Sequence, residues 1–166
     1  MLFTTLRSLA AGLCLCISSI GFAQSKCDSL RKEIEYLKKA LYITTPTKTI
    51  NSSKIDFNLI KCIGNTKEQT VELQLTVVNR DANRTLQFSG LDAIDLEGNQ
   101  YDHSRILLGT QTYRNTIYTD VPLKAVLTLK KVLPSVKMFK IVPVGYYDEK
   151  SRVITIEFKD LPIVWQ

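Results

Sequence analysis

From Lys54 to the end of the chain, apolar residues return at every second position, and this period of two limits the folds available. The clearest run is Val71, Leu73, Leu75 and Val77, interleaved with Glu72, Gln74 and Thr76. Successive strand side chains point to opposite faces, so such a run buries one face and wets the other. Ile55–Phe57–Leu59, Leu86–Phe88, Ile94–Leu96, Ala125–Leu127–Leu129 and Ile154–Ile156–Phe158 alternate in the same way. Turn residues separate them at Gly64-Asn65, Asn79 to Asn83, Glu97-Gly98-Asn99, Asp120-Val121-Pro122, Pro134-Ser135 and Asp148 to Ser151. Seven to nine short strands follow, which predicts an all-β, immunoglobulin-like antiparallel sandwich over residues 54–166. Strands without intervening helices exclude a parallel α/β fold.

Finer features are also readable. The apolar face shifts near Ile60 and Cys62, as a β-bulge would shift it. Leu86 to Tyr101 reads as a strand, a link and a hairpin turning at Gly98 and Asn99. Ser104 to Thr116 reads as a long loop holding a short strand, and the apolar end from Asp160 to Trp165 tucks against the core.

Before Lys54 the period is helical. Residues 24–45 hold one amphipathic helix rich in Ala, Leu, Glu and Lys, with Asp28 or Ser29 as a cap. Leu30, Ile34, Leu37 and Leu41 are spaced four, three and four apart. In heptads, Ile34 and Leu41 take a and Leu30 and Leu37 take d, with Cys27 on the preceding a position. Ile at a with Leu at d favours a parallel two-stranded coil, in which paired Cys27 residues face each other. Packing of the stripe on the chain's own sandwich stays open as an alternative, and so does a Cys27–Cys62 bond. Residues 46–53, rich in Thr, Ser and Asn after Pro46, read as a linker.

Residues 1–23 carry an address. Arg7 precedes an apolar run from Leu9 to Phe22, and Gly21-Phe22-Ala23 has the small-x-small pattern of a cleavage site, so a signal peptide is expected. No small residue precedes Cys14, Cys16 or Cys27, so no lipidation site is expected. The expected location is the periplasm or the medium, with no transmembrane helix after cleavage. Of four cysteines, Cys27 and Cys62 then remain, too few for a disulfide scaffold or a structural zinc site. The formal charge of +6 falls by one with the loss of Arg7. Most lysines fall on predicted solvent faces. No Arg-rich run or RNA-binding motif is present, so nucleic acid is not an expected partner.

The residues from Lys54 to Val164 also resemble a known family. AIDLEGNQYD holds an Asp-x-x-Gly-x-x-Tyr hairpin at Asp95, Gly98 and Tyr101. VPLKAVLTLKKVLPSVKMFKIVPV begins with a Pro bend, and ITIEFKDLPI ends in a Leu-Pro-Ile step. Together they are similar to a widespread, uncharacterised family of exported bacterial immunoglobulin-like sandwich domains, some of whose members carry a misleading telomeric repeat-binding factor label. The resemblance implies an envelope location and brings no catalytic residues. The heptad helix departs from that family, which has a plain linker or lipid anchor there.

The chemistry in the sequence points to binding rather than catalysis. His103 is the only histidine and no GxSxG elbow is present, so no triad is expected. Asp92, Asp95, Glu97, Asn99 and Asp102 offer hard oxygen atoms, but turn chemistry accounts for them, and no cofactor or metal is expected. Tyr113, Tyr118, Tyr146 and Tyr147 are the candidate ligand-binding residues, with one of each pair able to point inward instead. The expected function is a non-catalytic envelope adaptor that binds a protein or glycan and forms a homodimer through its helix. A carbohydrate or small-ligand module using the tyrosines is the alternative, and a carboxylate hydrolase ranks below both.

Overall fold

The computed structural model describes residues 28–36, 45–148 and 150–166. Residues 28–36 form a helix, α1, and Thr45–Gln166 form a compact unit of their own. The expected signal peptide, Cys27, Leu37 and Leu41 lie outside the described residues. No described helix is long and apolar enough to cross a membrane.

The compact unit is the expected antiparallel β-sandwich. Its strands are β1 (Lys48–Ser52), β2 (Ile55–Asn65), β3 (Thr70–Asn79), β4 (Arg84–Asp95), β5 (Gln100–Leu108), β6 (Gln111–Thr112), β7 (Arg114–Ile117), β8 (Pro122–Leu129), β9 (Met138–Tyr147), β10 (Val153–Pro162) and β11 (Val164–Trp165). They run β1-β2-β3-β8-β5-β4-β9-β10, with β11 on β2, β6 on β5 and β7 on β4. One strand joins the two sheets. The start of β5 pairs with β4 (Tyr101 opposite Ala93), and its end pairs with β8 (Ile106 opposite Leu127). A register shift between His103 and Arg105 marks the change of partner, since a bulge bends and twists a strand.

The alternating residues fill the space between the sheets. Phe57, Phe88, Phe139, Tyr146 and Phe158 are buried, with Val71, Leu73, Leu75 and Val77 beneath them. Phe57 meets Tyr146 at 5.2 Å between ring centroids and Phe88 at 6.4 Å, both tilted as ring quadrupoles favour. The bulge expected in β2 lies between Leu59 and Lys61 and brings Cys62 onto the buried face.

Four local expectations are corrected. Lys48–Ser52, expected within a linker over 46–53, is an edge strand paired with β2, because cross-strand partners outweigh a weak β propensity. Gly64-Asn65 is not a turn. Both lie in β2, and the turn follows over 66–69, with Asn65 Oδ1 accepting from the amides of Lys67 and Glu68. The strand and link expected from Leu86 are one twelve-residue strand, whose apparent break is a bulge between Phe88 and Gly90. The loop expected over 104–116 is the end of β5 followed by β6 and β7, turning at Gly109 with φ of 62°.

Candidate functional site

At one end of the sandwich the β1–β2 turn, the β3–β4 loop and the β9–β10 hairpin converge on an open crevice of about 290 Å³. Ser53 and Lys54 form the first wall, at φ of 50° and 59°. Two successive left-handed residues are what a tight two-residue hairpin demands, and glycine or asparagine normally supplies them. Here surrounding bonds hold two non-glycine residues in place. The Arg84 guanidinium donates to the Ser53 carbonyl, Arg80 N donates to Lys54 O at 2.8 Å, and the Tyr146 hydroxyl lies 3.1 Å from Ser53 Oγ. Lys54 Nζ reaches Asp81 at 3.0 Å.

The opposite wall is built by Asp148. Its Oδ1 accepts from the amides of Lys150 and Arg152 at 2.9 and 2.8 Å, and its Oδ2 from Arg152 Nε at 2.9 Å. Donors from Arg152 and Lys150 outweigh the loss of solvation and hold this carboxyl below the usual range. The hairpin is thereby fixed with Tyr146 inward and Tyr147 outward. The Tyr146 hydroxyl is 2.8 Å from Ser52 Oγ, so its ring belongs to the core. Tyr147 is 37 % exposed, and it sits in register with Val153 on one side and Gln87 on the other, while Gln87 pairs with Arg114. An aromatic ring and an arginine thus share one outward row. Arg84, Thr85, Tyr147 and Asp148 also line an adjoining shallow depression of about 480 Å³ that reaches Arg114.

Neither Tyr113 nor Tyr118 lines these depressions. Tyr113, at φ of 61°, works within the fold. Its carbonyl accepts from Phe88 N at 2.9 Å, and its hydroxyl is 3.2 Å from His103 Nε2. His103 Nδ1 lies 2.9 Å from the Leu91 carbonyl, which can only accept, so Nδ1 carries the proton and Nε2 accepts from the tyrosine when the ring is neutral. His103 is therefore half-buried in a bonded network. Tyr118 is exposed beside the polar loop in which Thr119 N donates to Asn83 Oδ1.

The acidic residues of the central hairpin have a defined task. Asp95 is buried; its Oδ1 accepts from the amides of Glu97 and Asn99, and its Oδ2 from Asn99 Nδ2 and Tyr101 OH, all at 2.8–2.9 Å. Among the described residues no three His, Cys, Asp or Glu side chains form a metal-binding group. Cys62 has a free, buried thiol, which burial pushes up to a pKa of about 12.

No family model matches this chain. No curated protein matches it either. Four chains of solved structures are similar to it, among them a copper-bound PCuAC domain from PmoF2. That domain shares 14 % identity over 72 % of this chain and the whole of its own length, with a TM-score of 0.48. At that level the likeness carries no functional information.

On α1, Leu30 and Ile34 lie four residues apart and therefore on one face, 54 % and 50 % exposed. Arg84, Lys54, Asp148 and Arg152 were not among the candidates from sequence. They meet only through pairings between strands far apart in the chain, and no local pattern marks them.

Proposed function

We propose that this protein is a non-catalytic, exported envelope module that binds other proteins and assembles through its N-terminal helix. The observation that carries the reading is the pair Leu30 and Ile34, apolar and half-exposed on one helical face. Exposed Leu and Ile at heptad spacing are costly to leave in water, and a second helix removes that cost. A helix this short is marginal alone, so assembly and helix formation reinforce each other. Residues 1–23 supply the export signal, and Cys27 lies three positions before Leu30 in the sequence, on the preceding a position of the heptad reading. Replacing Ile34 by Asp abolishes self-association or capture of a helical partner, read as solution mass, while the circular dichroism of the sandwich stays unchanged. An unaltered mass in that variant contradicts the reading.

The crevice favours a second reading, a module for acidic carbohydrate. Tyr147 offers a ring face, and Lys54, Arg84, Lys150 and Arg152 line the crevice with only Asp81 and Asp148 opposing them among the described lining residues. Sugar rings stack on exposed tyrosine, and Arg114 stands in the same outward row, where a guanidinium attracts carboxylate or sulfate. Retention on a sulfated glycan should fall about tenfold with Tyr147→Ala and weaken with salt. Equal retention of the variant removes this reading.

A further inference from the structure

A different cavity lies on the outer edge of β2, away from the basic crevice. β1 covers that edge as far as Leu59, opposite Lys48, and β11 covers it from Ile63, opposite Val164. Among the described residues, Ile60, Lys61 and Cys62 therefore have no strand beside them on that edge, at the site of the bulge. A cavity of about 400 Å³ opens there. Its volume falls within the roughly 300–1,000 Å³ of small-molecule sites, which are mostly apolar with a few placed polar groups.

The lining has that character. Leu59, Ile60, Ile63, Leu161, Pro162 and Val164 supply the walls, and Val164 is 62 % exposed. The charged side chains among the lining residues are those of Lys48 and Lys61, beside the polar Thr47 and Gln166. Lys48 Nζ donates to the Lys159 carbonyl, and its ammonium also acts on the Asp160 carboxylate. Asp160 is bonded most directly by Lys140, at 2.7 Å. An apolar cavity with cations at its rim is complementary to one kind of molecule, an alkyl chain ending in an anion.

We propose that this gap in the β2 edge binds an anionic amphiphile of the fatty-acid class. The alkyl chain lies along Ile60, Ile63, Leu161 and Val164, and the carboxylate lies between Lys48 and Lys61. The bulge is then functional, because it both widens the strand and turns Cys62 into the floor. The Cys62 thiol, held protonated by burial, serves as an apolar wall rather than a nucleophile. The site shares no lining residue with the basic crevice.

The test is titration of the purified protein with dodecanoate below its micelle concentration, followed by calorimetry and by the fluorescence of Trp165. Trp165 is the chain's one tryptophan and neighbours Val164. One dodecanoate per chain should bind saturably, and dodecylammonium about tenfold more weakly. Val164→Glu should abolish binding, and Lys61→Glu should weaken it about tenfold. Both positions are exposed, so both variants keep the fold, which circular dichroism confirms. Absence of saturable binding, equal binding of the cationic chain, or undiminished binding by Val164→Glu overturns the proposal.

Discussion

Asp95 shows how one side chain shapes the middle of the domain. Burial raises the cost of its charge, but donors from Asn99, Tyr101 and Glu97 more than offset it, so its carboxyl titrates below the usual range. Burial first, and then the same contact, push the Tyr101 hydroxyl up to about 12. Because the folded pKa is lower than the unfolded one, Asp95 contributes stability that is complete above the unfolded value of about 3.9. That contribution is lost as pH falls through the folded value. Asp56, held between Arg80 and Asn51, behaves in the same direction. Asp95→Asn should cost about 2 kcal/mol at neutral pH and flatten the loss of stability below about pH 4. Urea midpoints across pH provide the check, and an unchanged acid limb would show that this carboxylate is not the group responsible. The Asp-x-x-Gly-x-x-Tyr spacing was readable in sequence as a turn. Its physical reason, a buried carboxylate gathering four donors, required the fold.

At the scale of single strands, β2 and β11 show what periodicity reveals and what it misses. The alternation Ile55–Phe57–Leu59 and the face shift at Ile60 predict both the strand and its bulge, because burial on one face imposes them. Gly64 misled, since glycine before asparagine usually marks a turn. The glycine is required for another reason: a Cβ there would stand 2.3 Å from Trp165 Cε3. The indole lies against the bare backbone, and its Nε1 donates to the Val136 carbonyl at 2.7 Å. No local pattern could announce a contact between residues a hundred positions apart. Gly64→Ala should cost about 2 kcal/mol by displacing that ring and shift the tryptophan emission to the red. An unshifted spectrum with unchanged stability would mean that the ring is not seated there. The β1 strand was hidden for a related reason. Its Thr and Asn side chains bond across to β2, as Thr49 Oγ1 does to Asn58 Oδ1 at 2.8 Å, so polar composition here reflects an edge and not a linker.

For the whole molecule, the antiparallel sandwich followed from the pattern of short alternating strands, and the sharing of β5 between sheets did not. Strand order depends on contacts far apart in sequence, and so do the crevice around Tyr147 and the cavity beside β2. The tyrosines illustrate this limit. Alternation lets one of Tyr146 and Tyr147 point inward without saying which, and it cannot reveal that Tyr113 is tied to His103 while Tyr147 stands among basic residues. The helical period at Leu30 and Ile34 was legible, since it needs only neighbours in the chain, and both residues are exposed on one face of α1. The most direct measurement is the solution mass of the purified protein beside Ile34→Asp, with both at equal concentration. The account predicts an assembly larger than one chain for the native sequence and a single-chain mass for the variant, both with the same β spectrum. One common mass for the two proteins would contradict it.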